Sequence, residues 1–166
     1  MGIITPMVNS AKEAYQAVAA VRYPTQGVRE FGPAMAPVRW GVKGAGAYAK
    51  IADNEILVIA QIKHIAAVDA IDEIVSVPGL DLVFVGMCDL AASMALLGQV
   101  DHPSVVSAAR RFLGAAQRAD LTAGVIALEH VTIRGRREEG FQLMAVNTDT
   151  VLLSAGADGL LAVMSC

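Results

Sequence analysis

The hydrophobic positions of this chain follow two alternating rhythms. Ile56 to Ile62, Leu80 to Val85 and Ala123 to Leu128 are short, nearly unbroken apolar runs, the pattern of strands covered on both faces. Between them apolar residues recur every three or four positions. Over Ala66 to Ser76, Val68, Ile71, Ile74 and Val75 share one face while Asp69, Asp72 and Glu73 lie opposite, which predicts an amphipathic helix. Asn9 or Ser10 is placed to cap a helix over Ala11 to Val21, with Glu13 in its first turn. His102-Pro103 opens another over Ser104 to Ala119. Gly2 to Val8 and Gln142 to Val146 read as further strands. Ala47 to Asp53, Thr132 to Glu139 and Thr148 to Val163 read as helices, and Ser93 to Gln99 as a short helix or loop. Five strand–helix units without a hairpin signal predict a parallel sheet with right-handed crossovers. Periodicity leaves open whether that sheet is flat and open or an arc of a barrel. One long loop, Thr25 to Gly46, is rich in Gly and Pro yet holds Phe31, Met35, Val38 and Trp40. Its length marks it as functional or disordered, and its apolar content argues against disorder.

Composition narrows the class. A chain of 166 residues, 55% of them hydrophobic, is one packed domain spanning 1–166. Its mean hydropathy of +0.51 is high for a monomer and suggests surface that a second copy covers. A net charge of −3 gives nucleic acid nothing to bind. The basic run Arg134-Gly135-Arg136-Arg137 is followed at once by Glu138 and Glu139, as on a solvated helix. No apolar run reaches the ~20 residues of a membrane span, and the N-terminus lacks the regions of a secretory signal. Cys88 and Cys166 lie far apart without metal-ligand spacing, which fits a reducing cytoplasm.

Chemistry gathers where two neighbouring strands end. The run Leu80–Val85 ends in Gly86, and Asp89 follows three residues later. The preceding strand ends in Gln61-Ile62-Lys63-His64. Parallel neighbours bring both clusters to one rim, the end at which α/β barrels do their chemistry. Asp89 reads as a site carboxylate or as a helix N-cap. Lys63 reads as an ion-pair partner for Asp89 or as a nucleophilic amine. His64 faces the other way along the strand and reads as structural, and His102 as a cap or packed residue. His130, beside Glu129, sits in a strand-to-helix loop. Cys88 reads as a packed thiol, Met87, Met94, Met144 and Met164 as core fillers, and Trp40 as an anchor of the long loop. Gly27, Gly32 and Gly41 do not have phosphate-loop spacing.

Several phrases resemble the HpcH/HpaI aldolase family of (β/α)8 barrels. They are Ile4-Thr5-Pro6-Met7-Val8-Asn9, Arg22-Tyr23-Pro24, Gly27-Val28-Arg29, Phe31-Gly32-Pro33-Ala34, Gln61-Ile62-Lys63, Gly79-Leu80-Asp81, Val83-Phe84-Val85-Gly86, Asp89-Leu90-Ala91 and His102-Pro103. They keep their order and spacing over residues 3 to 150. The resemblance implies a partial TIM barrel holding strands four to eight. It also implies a carbon–carbon lyase that cleaves 4-hydroxy-2-oxo acids to pyruvate and an aldehyde. A divalent ion of Mg²⁺ or Mn²⁺ type would bind the 2-oxo acid, such as pyruvate or oxaloacetate, and act as Lewis acid. Asp89 matches a metal carboxylate, and Gln61 a polar residue near pyruvate. The backbone of Gly86, Met87 and Cys88 matches the segment that binds the substrate carboxylate. Arg29 matches a loop arginine that reaches substrate, commonly across a subunit interface of a homo-oligomer. One departure stands out: Lys63 occupies the position of the other metal carboxylate, and an ammonium has no lone pair to give. By the same resemblance the strands bearing the catalytic base have no counterpart here, so a non-catalytic relative serving as a binding or assembly partner, or a relic, is the alternative reading.

Overall fold

The computed structural model describes residues 1–32, 34–39, 41, 44–127 and 130–164, apart from the side chains at 36, 38, 130 and 131. The expectations for Val38, Trp40, Glu129, Cys166 and the His130 side chain lie outside the described residues. Five strands, β1 (Gly2–Thr5), β2 (Leu57–Ile62), β3 (Leu82–Val85), β4 (Thr122–Ala127) and β5 (Leu143–Val146), form one sheet. All pairings are parallel and the spatial order equals the chain order. A doubly wound open sheet would reverse its order part-way; this one does not. The result is a curled half-barrel.

The two faces of the sheet are distinct. The outward side chains Val58, Ala60, Ile62, Val83, Val85, Ala123 and Val125 share one core with the helices. Those helices are α1 (Ala11–Val21), α4 (Ile65–Asp69), α5 (Ile71–Val75), α6 (Met87–Ser93) and α7 (Pro103–Arg118). Inward side chains form a second, smaller cluster of Ile59, Leu82 and Phe84 with Ile126 and Leu143 against it. The register sets Gln61 beside Phe84, Phe84 beside Gly124 and Gly124 beside Leu143, one rung across the inner face. A Cβ on Gly124 would lie 2.5 Å from the Phe84 ring. The absence of a side chain there lets Phe84 lie flat and fill the inner face.

The helix boundaries follow from local chemistry. Ser10, not Asn9, caps α1: its Oγ accepts from the Glu13 N–H at 3.3 Å, while Glu13 Oε2 accepts from the Asn9 N–H at 2.6 Å, a close relative of the capping box. The expected helix over 66–76 is split at Ala70 into α4 and α5. The expected short helix or loop over Ser93 to Gln99 is a loop beyond Ser93; ahead of it stands a helix the sequence reading did not mark, α6, which begins at Met87 and buries Met87, Leu90 and Ala91. Ser93 Oγ closes α6 by donating to the Leu90 carbonyl at 2.7 Å. The long loop holds a short helix, α2 (Ala36–Arg39), and gives way to α3 (Ala45–Glu55). The remaining helices are α8 (His130–Glu139) and α9 (Asp149–Met164). α9 is apolar on all sides and buries none of its described residues; Leu153 is 78% and Leu160 72% exposed.

At the N-terminal edge of the strands, buried Arg22 ties three elements together. Its guanidinium donates to the carbonyls of Asp53 and Ile56, the latter at 2.8 Å, and to Asp81 Oδ2 at 3.1 Å. Asp81 Oδ2 also accepts from the Val58 N–H at 2.7 Å. α1 is thereby fastened beneath β2 and β3, which leaves the opposite, C-terminal edge to carry the polar side chains.

Candidate functional site

The C-terminal ends of β2 and β3 are locked one rung beyond the regular ladder, since the Gly86 N–H donates to the Ile62 carbonyl at 2.9 Å. Strand alternation puts Gln61 and Lys63 on the same inner face. The Lys63 stem lies across Gly86, where an added Cβ would stand 3.1 Å from Lys63 Cγ and 3.4 Å from Asp89 Oδ2. Beyond that glycine the Lys63 ammonium meets Asp89 Oδ2 at 3.0 Å. The Lys63 side chain is 26% exposed and that of Asp89 54%. Of the two readings of Lys63, the ion pair is present. Asp89 is not a cap; Gly86 holds the N-cap position of α6 and Asp89 stands in its first turn.

The other candidates fall into place around this pair. Met87 is buried and belongs to the core cluster, so only its backbone faces the edge chemistry. Met87 and Cys88 open α6, where a helix leaves N–H groups without intrahelical partners; the Gly86 N–H is already spent on the ladder. Cys88 is an exposed free thiol, not the packed one expected, because position 88 in the first turn of α6 points away from the face that carries Met87 and Ala91. His64 and His102 are caps: each Nδ1 accepts a backbone N–H two residues on, at 3.1 and 3.3 Å.

Arg29 is not brought to this edge within the chain. Its guanidinium lies 4.5 Å from the Tyr23 ring centroid and 3.3 Å from Tyr48 Oη. Tyr23 follows Arg22, so this cluster belongs to the N-terminal edge. The Gly-Val-Arg phrase is local architecture: the Val28 and Arg29 N–H groups donate to the Ala19 and Arg22 carbonyls at 2.8 and 2.9 Å, closing the end of α1. A Cβ on Gly27 would collide with those same two carbonyls. Sequence reasoning missed two residues. Arg22 gave no signal beyond its phrase. Asn9, which stood as a cap candidate, instead carries a buried Oδ1 with no hydrogen-bond partner at the C-terminal end of β1, an acceptor that invites a ligand or water.

The donor set does not fit the divalent ion that the resemblance implied. Asp89 is the carboxylate beyond the end of β3, and it is already paired with Lys63. Among the described residues no three His, Cys, Asp or Glu side chains converge. An ammonium ~4 Å from a divalent ion repels it by about 8 kcal/mol at an effective dielectric near ~20, twice the interaction of two unit charges. No helix among the described residues is long and apolar enough to cross a membrane.

Comparison with known proteins gives this edge its context. The family model for HpcH/HpaI aldolase/citrate lyase matches residues 1–155. The hydroxypyruvate/pyruvate aldolase of Roseovarius nubinhibens is 36% identical over 160 residues, covering 96% of this chain and 62% of that protein. The 4-hydroxy-2-oxo-heptane-1,7-dioate aldolase of Salmonella typhimurium is 35% identical over 161 residues, covering 96% and 60%. A solved HpcH/HpaI aldolase/citrate lyase family protein from Burkholderia cenocepacia J2315 superposes with a TM-score of 0.89 at 31% identity, covering 98% of this chain and 65% of that one. Macrophomate synthase superposes with a TM-score of 0.83 at 25% identity, covering 99% and 58%. The chain thus spans about three fifths of the length of the curated relatives it matches. With a family model matched over nearly its whole length and the same half-barrel, the chain belongs to the HpcH/HpaI aldolase/citrate lyase family.

Proposed function

We propose that the C-terminal edge of this half-barrel binds a small 2-oxo acid, such as pyruvate or oxaloacetate, in carbon–carbon lyase chemistry of the aldolase type. The observation that carries the reading is the convergence of Gln61, Lys63 and Asp89 on one edge in a member of an aldolase family. The Gln61 side-chain amide offers both a donor and an acceptor and makes no hydrogen bond among the described residues. The Met87 and Cys88 N–H groups offer donors to a carboxylate. Asp89 is committed to Lys63, so it orients the ammonium rather than an ion. A cytoplasmic homo-oligomer is part of the proposal: the exposed apolar α9 and the inner-face residues Ile4 and Leu57, each nearly half exposed, give a second copy surface to cover.

The Lys63–Asp89 pair also favours a second reading, a non-catalytic relative that binds or assembles without turning substrate over. Oxaloacetate decarboxylation, followed as pyruvate release with and without Mn²⁺, separates the two. Turnover above the buffer rate supports the lyase. Silence in both conditions, with ligand binding retained, supports the non-catalytic relative. Sedimentation that gives a compact monomer at micromolar concentration removes the oligomer from the proposal.

A further inference from the structure

We propose that the Lys63 ammonium is the resident cation of this edge, so that a 2-oxo acid is held here without a divalent ion. The inference rests on the reading that the edge takes a 2-oxo acid, and it adds which charge recognises that anion. Three observations carry it.

The first is fixation. The Lys63 stem is draped over Gly86, the one residue type that leaves room for it there, since a Cβ would stand 3.1 Å from Cγ and 3.4 Å from Cε. The amine therefore arrives at one place rather than sweeping a volume of solvent. The second is unspent donors. An ammonium carries three N–H groups. Asp89 Oδ2 pairs with the ammonium at 3.0 Å and engages at most one of them, and among the described residues the Lys63 side chain makes no other hydrogen bond or ion pair. Two donors remain, close enough together to serve the adjacent keto and carboxylate oxygens of one 2-oxo acid. The third is placement. Gln61 stands two residues back on the same face, with its amide without a hydrogen bond among the described residues. It supplies a neutral donor beside the charged one.

Asp89 has a positioning role. It pins the ammonium from the side of α6, and in doing so it gives up its own capacity to ligate a metal. The pair is neutral as a unit, so the recognition is directional and short-range, through N–H groups aimed at oxygens, rather than a long-range field.

The test uses oxalate, a flat dianion that mimics the enolate of pyruvate, titrated calorimetrically into the full chain in EDTA and then in Mn²⁺. The expected result is the same affinity in both. Lys63→Met keeps the stem and removes the charge; oxalate affinity should fall at least tenfold in either buffer. Lys63→Glu places two carboxylates at the edge; that variant should bind Mn²⁺ directly and oxalate only when Mn²⁺ is present. Thermal melts of each variant establish that it is folded, and the comparison of EDTA with Mn²⁺ on the unsubstituted chain needs no variant. If the unsubstituted chain binds oxalate only with Mn²⁺, or Lys63→Met binds as well as the parent, the resident-cation inference is overturned while the 2-oxo-acid reading survives. If the parent binds oxalate in neither buffer, both fall.

Discussion

Replacing Arg22 with Met should cost the fold about 3–5 kcal/mol, with the carbonyl contacts rather than the ion pair carrying most of it. The guanidinium is buried and donates to the carbonyls of Asp53 and Ile56 as well as to Asp81. A hydrogen bond from a charged donor contributes roughly 1.5–3 kcal/mol net, and its loss leaves each half-buried carbonyl without that partner. Two such bonds supply most of the total. The Asp81 contact supplies less, because that carboxylate is 35% exposed and keeps the Val58 N–H at 2.7 Å; screening holds such a pair to about 1 kcal/mol or below. Met fills the stem volume, so the loss reports the polar head. Against a total of roughly 5–15 kcal/mol, this is a large fraction of the stability of the domain. Urea unfolding followed by circular dichroism gives the midpoint at constant m-value. Asp81→Asn, measured alongside, should cost clearly less than Arg22→Met. A loss under about 1 kcal/mol for Arg22→Met, or an Asp81→Asn cost equal to it, would refute the reasoning that the carbonyls are the main acceptors.

Three further outcomes follow from named contacts. Gly124→Ala drives a Cβ into the buried Phe84 ring and should destabilise by about 1–3 kcal/mol, the usual range for overpacking, read as a lower urea midpoint. Ser10→Ala removes the acceptor for the Glu13 N–H and should cost roughly 0.5–2 kcal/mol; Ser10→Thr, which keeps the hydroxyl, should recover most of it. Leu153→Lys combined with Leu160→Lys charges the exposed apolar α9 and should lower the sedimentation coefficient without lowering helicity, whereas unchanged sedimentation would show that α9 takes no part in assembly.

The parts of the fold that were legible in the sequence are those where one physical signal dominates. The apolar runs of β2, β3 and β4 marked strands covered on both faces, and their side chains pack into clusters on both sides of the sheet. Ser10 and His102 were legible as caps because a side-chain acceptor next to an apolar-periodic run has few other uses. Boundaries set by competition were not legible. Nothing in 66–76 marks Ala70 as a break, since Ala is a good helix former; the break answers to packing. Periodicity could not tell an open sheet from a curled one, since strand order is a property of long-range pairing; the family phrases, by resemblance, pointed to the barrel. At the site, Lys63 and Asp89 could be paired from sequence because parallel neighbours end at one rim. Arg29 could not be placed, because a loop phrase fixes what a residue can do and not which edge it reaches. Arg22 was missed for a related reason: its partners are mostly backbone carbonyls, which leave no trace in side-chain identity.

The separation of these two edges bears on what family membership means for this chain. The clamp at Arg22 and the core beneath the helices hold the sheet from its N-terminal edge and outer face. Lys63 and Asp89 sit at the other edge, both in contact with solvent, and their pair contributes about 1 kcal/mol or less to the fold. A carboxylate at position 63 could therefore be exchanged for an amine with almost no penalty to folding while the electrostatics of the edge reversed sign at that point. Selection for a folded barrel does not feel such a change; selection for ion binding feels it at once. The same scaffold can thus keep every structural phrase of an aldolase and still differ in the one charge on which the metal depends. The affinity of the edge for divalent ions is accordingly a question for position 63, and the integrity of the fold does not bear on it.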